Sequence, residues 1–124
     1  VAGRTEIIGE RTGSPAPIIA RFDVGVVSSV YSESVSRSTM EYLAAGVPVV
    51  AANVGGVPDI LGEGEFGVLV SPRDPKKLAE EVVRLVQDNH RRREYGRAGR
   101  EFIRTRRTWQ QAAHSFAGAL AEIV

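Results

Sequence analysis

Cysteine is absent from this 124-residue chain, so a disulfide framework and a thiolate metal site are both excluded. Histidine occurs only twice, as His90 and His114. These lie far apart in sequence and lack carboxylate partners in a metal-ligand pattern, so no metal site is visible. Aromatic residues make up only 6% of the chain. No apolar run approaches the roughly 18–20 residues that a membrane-spanning helix needs, and no secretory signal pattern is present. There is no P-loop, no G-x-G-x-x-G run and no nucleophile elbow. The net charge of +1 gives no global pull toward nucleic acid or membrane. The lack of cysteine fits a reducing, cytoplasmic compartment.

What is present is enough for one domain with a real core: 43% of the residues are apolar. The chain opens at Val1, not at an initiator methionine, and runs almost directly into a strand-like segment. The expectation is therefore a piece of a longer protein.

Four short runs read as strands: residues 5–9 (TEIIG), 23–28 (DVGVVS), 47–52 (VPVVAA) and 66–70 (FGVLV). The second and third lack polar alternation, the pattern of strands buried on both faces of a parallel sheet. Helical segments separate them. Ser14-Pro15 offers a start for residues 16–21, residues 35–45 end at Gly46 as a C′ glycine, and residues 58–61 give one turn. Asp74-Pro75 caps a helix with a Leu78, Val82, Leu85, Val86 stripe. A second helix from Asn89 carries Tyr95, Ala98, Phe102 and Ile103. A last one, capped by Thr108, carries Trp109, Ala113, Phe116 and Leu120. The predicted fold is α/β: a Rossmann-like, doubly wound parallel sheet of about four strands, helices on both faces and a helical C-terminal segment. In such sheets a ligand sits beyond the carboxyl ends of the strands, here residues 28–33, 53–58 and 71–74.

One of those edges carries distinctive chemistry. Residues 28–46 read SSVYSESVSRSTMEYLAAG, a polar turn entering a helix. A helix start offers free N–H groups and a partial positive charge to a phosphate, supplied here by the backbone at Ser34, Val35 and Ser36. Glu33 precedes the helix and Glu41 follows eight residues later, roughly 12 Å along if all of it is helical. Carboxylates accept strong hydrogen bonds from hydroxyls, and a nucleotide sugar has hydroxyls at both ends of a diphosphate. On spacing alone, a surface helix with two solvated glutamates is the better-supported reading.

The run ESVSRSTMEYLAAGVPVVAANVGGVPDIL over residues 33–61 resembles the signature of family 4 (group 1) retaining glycosyltransferases of the GT-B fold. That signature is Glu, seven residues, Glu, a small-residue helix end with Gly, P-V-V-A, and a G-G-x-P-[DE] turn. The flanks resemble the family as well: residues 23–29 its A-D-V-x-V-x-P-S strand, and residues 63–74 its G-x-x-G-x-L-V-x-P-x-D segment. The resemblance implies a partial C-terminal nucleotide-sugar-binding domain of a two-domain enzyme, spanning residues 1–124. The full-length protein would transfer a sugar from a nucleotide-diphosphate sugar to an acceptor hydroxyl with retention, as in polysaccharide biosynthesis. By the same resemblance, Glu33 binds the donor sugar, Glu41 binds the ribose, and the backbone of Ser34, Val35, Ser36 and Arg37 lines the sugar and diphosphate. No catalytic residue, metal or cofactor is expected here. The resemblance places the family's arginine and lysine for the diphosphate in the opening of the C-terminal domain, before these residues, and its acceptor site and catalytic histidine in the N-terminal domain, so this piece alone is expected to be inactive.

Two departures stand out. Ser34-Val35-Ser36 replaces the family's frequent G-F-G, so the closest backbone approach is lost and the sugar preference stays open. Arg37 replaces an apolar residue, and either adds a cation near the diphosphate or faces solvent. The competing functional reading is a non-catalytic binding module or an epimerase-like GT-B domain. Gly55, Gly56 and Pro58 either shape the cleft or simply make a tight turn, and Asp59 reads as a cap. Eight arginines crowd residues 91–107. They form a solvated helix face or, as the alternative, a peripheral contact with an anionic membrane at the inner face. Too few aromatics interleave with them for nucleic acid.

Overall fold

The computed structural model describes residues 4–9 and 12–123; Val1, on which the expectation of a longer chain rests, lies outside them. Three parallel strands form the described sheet in the order β1 (Gly25–Val27), β2 (Val49–Ala52), β3 (Gly67–Val70). Val26 lies beside Val50, and Val50 beside Val68. Every residue of β2 is buried, as its unbroken apolar run demands of a strand covered on both faces.

The expected first strand, residues 5–9, does not form. A strand needs a neighbour for its N–H and C=O groups, and no described strand lies beside this segment; Ile7 is 92% exposed. The described sheet therefore has three strands, not about four. Val26 on β1 is also exposed, although its strand is apolar throughout.

The helices are α1 (Ala16–Ile19), α2 (Arg37–Ala44), α3 (Val57–Ile60), α4 (Pro75–Gln87), α5 (Asn89–Arg106) and α6 (Trp109–Ile123), with a 3-10 turn at Gly62–Gly64. They divide between two faces because side chains alternate along β2. Val49 and Ala51 pack with Leu43 of α2, Val57 and Ile60 of α3, and Ala98, Phe102 and Ile103 of α5. Val50 points the other way, onto Leu78, Val82 and Leu85 of α4.

The caps follow local chemistry. Asp74 accepts a hydrogen bond from Lys77 N at 2.8 Å, and Asp88 one from Arg91 N at 2.9 Å. Thr108 Oγ1 accepts one from Gln111 N at 3.2 Å. At the end of α2, Gly46 N donates to Leu43 O and Val47 N to Tyr42 O, both at 2.9 Å. This paired closure needs the positive φ of +76° that Gly46 adopts. α5 crosses α2 at that same point: a Cβ on Gly96 would stand 2.3 Å from Gly46 O.

α6 departs from expectation. Its apolar stripe forms at helical spacing, yet Trp109 (90% exposed), Phe116 and Leu120 are all uncovered. The periodicity gave the helix but not a packing partner.

Two predictions follow from this packing. Gly96→Ala forces the two helices apart and destabilises the domain by roughly 2 kcal/mol, read as a lowered urea midpoint. Glu81, almost buried on α4, bonds Lys77 at 2.9 Å and Arg84 at 2.8 Å. The hydrogen bond from Lys77, followed by the Lys77, Arg84 and Arg91 charges, holds its carboxyl below the ordinary 4.5, against the opposing effect of burial. A carboxylate with a depressed folded pKa stabilises above the unfolded value and loses that contribution as pH falls through the folded one. Glu81→Gln therefore lowers stability at pH 7, and the difference from wild type shrinks below pH 4.5.

Candidate functional site

Two loops meet at the carboxyl edge of the sheet. The first leaves β1 and runs over residues 28–36 into α2; the second leaves β2 and runs over residues 53–56 into α3. They touch backbone to backbone. Gly56 N donates to Glu33 O at 2.8 Å. Gly55 adopts φ +53°, and a Cβ there would stand 2.3 Å from Glu33 O and 2.6 Å from Glu33 N; a Cβ on Gly56 would stand 2.6 Å from Ser34 O. The Gly-Gly turn is thus tight and also shapes the site, since it sets where the Glu33 backbone lies.

Glu33 is half-buried, and its Oε2 accepts a hydrogen bond from Ser29 Oγ at 2.7 Å. Ser34 and Val35 are exposed, and their N–H groups donate to no acceptor among the described residues. Ser36 is fully buried and caps α2, with Oγ 3.4 Å from Thr39 N and 2.6 Å from Thr39 Oγ1. The helix accordingly starts at Arg37, two residues later than residues 35–45 implied. Its first-turn N–H groups are those of residues 37–39, of which Arg37 N turns back to Val35 O at 3.0 Å. The roughly 12 Å estimate for Glu33 to Glu41, which assumed continuous helix, loses its basis because residues 33–36 are not helical. Arg37 is exposed and forms no ion pair among the described residues.

Glu41 has different surroundings. It is half-buried on α2 and lines a cavity of about 210 Å³ with Ser14, Pro15, Ala16 and Ile19, where α1 approaches α2. α1 is shorter than residues 16–21 suggested, and Ala16 N bonds Ser14 Oγ at 3.3 Å. The two glutamates thus face separate surroundings, Glu33 the strand-end loops and Glu41 the groove beside α1.

Three nearby residues were not read as functional from sequence. Ser29 contacts Glu33 directly. Arg73, at φ +62°, stacks its guanidinium 5.1 Å from the Tyr31 ring, joining the loops after β3 and β1. Behind them lies a cavity of about 230 Å³ lined by Ser28, Val30, Ala52, Val70 and Leu78. A serine in a polar loop gave no signal of its own, and the Arg73–Tyr31 pairing joins loops distant in sequence.

The family model for glycosyl transferases group 1 matches residues 1–88. The chain belongs to the group 1 glycosyltransferases. It is 36% identical over 115 residues to the D-inositol 3-phosphate glycosyltransferase of Corynebacterium diphtheriae, covering 91% of this chain and 26% of that one. Among solved structures, the C-terminal domain of LpcC, a group 1 family glycosyltransferase from Francisella tularensis, superposes with a TM-score of 0.71 at 26% identity. That match covers 82% of this chain and 53% of that one. HepE of Anabaena, solved in complex with UDP-glucose, shares the fold with a TM-score of 0.79 at 22% identity, over 89% of this chain and 30% of that one. The fold is the Rossmann-like α/β arrangement of GT-B glycosyltransferases, and the chain spans about a quarter of the length of the curated relatives it matches.

The remaining sequence candidates are accounted for structurally. Asp59 lies inside α3 and pairs with Arg107 at 2.9 Å. Arg107 also covers the Phe102 ring, Arg91 bonds the Tyr95 hydroxyl, Arg92 reaches the Leu85 and Val86 carbonyls, and Arg104 pairs with Glu101. Arg93, Arg97, Arg100 and Arg106 are exposed. No described helix is long and apolar enough to cross a membrane.

Gly55→Ala is expected to be the most damaging single methyl in this site. It meets both a positive φ and the Glu33 backbone, and costs roughly 2–3 kcal/mol, read as a fall in thermal midpoint with loss of the ordered loop signals in an NMR spectrum.

Proposed function

We propose that this chain is the donor-binding part of the C-terminal domain of a two-domain GT-B glycosyltransferase. The full-length protein moves a sugar from a nucleotide-diphosphate donor to an acceptor hydroxyl with retention. The observation that carries this reading is the Glu33 loop. A carboxylate anchored at the carboxyl edge of a parallel sheet stands next to two exposed residues, Ser34 and Val35, whose N–H groups have no described acceptor, in a chain that belongs to a glycosyltransferase family.

Each group has a role suited to its chemistry. Glu33 accepts hydrogen bonds from hydroxyls of the donor sugar. The backbone of residues 34–37, with the exposed Arg37 beside it, faces the diphosphate. Glu41, whose carboxylate has no hydrogen-bonding partner among the described residues, accepts from the ribose hydroxyls. As the sugar–phosphate bond breaks, charge builds on the departing diphosphate, and fixed dipoles and cations stabilise it while the sugar gains oxocarbenium character. Retention requires the acceptor to attack from the face the nucleotide leaves.

The likeness to an isolated C-terminal domain supports the placement. So does the exposure of Val26 on β1, an outer strand of the described sheet: a strand apolar on both faces is suited to the interior of a larger α/β layer. The solved UDP-glucose complex of a protein with the same fold supports the ligand class.

Calorimetry on the full-length protein tests the assignment. Glu41→Ala should weaken nucleoside diphosphate binding roughly 10- to 100-fold, the loss expected of a hydrogen bond to a charged group. Glu33→Ala should weaken the nucleotide sugar by a similar factor and leave the nucleoside diphosphate unchanged. Unaltered nucleotide affinity in Glu41→Ala overturns the ribose role.

A further inference from the structure

Of the two glutamates proposed as ligands, Glu33 is the one whose carboxylate is held by another side chain among the described residues. Ser29 stands in the loop just after β1, four residues earlier, and its Oγ donates to Glu33 Oε2 at 2.7 Å. The same residue is held through its backbone, where Glu33 O accepts from Gly56 N at 2.8 Å. The Gly55 Cα lies so close that a methyl would reach within 2.6 Å of Glu33 N. The residue is thus tied at both ends, its carboxylate by a hydroxyl from the first loop and its main chain by the turn of the second.

The geometry points to Ser29 as a positioning residue for donor-sugar recognition, acting through Glu33. An ionised carboxylate has two oxygens and about four lone-pair directions. With Oε2 engaged by Ser29, the orientations open to the carboxylate are restricted, and Oε1 is left with its acceptor capacity for the ligand. A free glutamate has three side-chain torsions to immobilise on binding, at a cost that pre-ordering removes. Ser29 itself need not touch the sugar. The hydroxyl is the active feature, so threonine keeps the function and alanine loses it.

This inference rests on the assignment of Glu33 to the donor sugar, and the test separates the two. In the full-length protein, Ser29→Ala, Ser29→Thr, Glu33→Ala and the Ser29→Ala/Glu33→Ala double variant are titrated with UDP and UDP-glucose, or with GDP and GDP-mannose if the unmodified protein binds that pair instead. Ser29→Ala is expected to weaken the nucleotide sugar roughly three- to tenfold, a net hydrogen bond's worth, and to leave the nucleoside diphosphate within twofold. Ser29→Thr restores affinity. In the Glu33→Ala background the serine change has no further effect, because the two residues act as one unit. If Ser29→Ala leaves sugar affinity intact while Glu33→Ala lowers it, the positioning role is overturned and the Glu33 assignment stands. If Glu33→Ala has no effect either, both fall. Equal loss of nucleoside diphosphate and nucleotide sugar in Ser29→Ala marks a merely structural serine and also overturns the proposal.

Discussion

The contact on which the site depends is a backbone contact. The Gly55–Gly56 turn lies directly against the main chain of Glu33 and Ser34, closer than any side chain would allow. Glycine at these positions removes the Cβ atoms that would otherwise hold the two loops apart. Once the loops touch, the 2.8 Å hydrogen bond from Gly56 N fixes the height of Glu33 above the sheet, and the Ser36 cap fixes where α2 begins. The sheet sets the loop origins through the register of β1 on β2. Thus the ladder between two three- and four-residue strands and one pair of glycines determine where a carboxylate stands.

Much of this was legible in the sequence, and the legible parts share a cause. Asp74-Pro75, Thr108 and Gly46 act through groups within a few residues of themselves, so local chemistry decides them. The unbroken apolar run of β2 reports burial on both faces, and burial is what the core shows. The family signature was equally readable, because it is a string of fixed spacings over residues 33–61.

Most of what escaped was non-local. Residues 5–9 have strand composition, but a strand exists only beside another strand. The stripe of α6 has the right period, but periodicity reports a face and not what covers it. The start of α2 moved from 35 to 37 because the buried Ser36 hydroxyl captures Thr39, in competition with ordinary helix propagation. The stack of Arg73 on Tyr31 joins residues more than forty positions apart, and only tertiary structure brings them together.

α2 is held at both ends. Ser36 closes its N-terminus, while the Gly46 closure and the approach of Gly96 hold its C-terminus. The cap defines where the helix begins, and the close approach of Gly96 limits how α2 can slide or roll against α5. Helix α2 is therefore ordered by folding itself, and a molecule docking along it meets a surface whose conformational entropy has already been removed. The rigidity also extends outward: because α5 is one of the pins, a change at Gly96, on the face of α5 turned away from solvent, alters the orientation of a helix that carries Glu41.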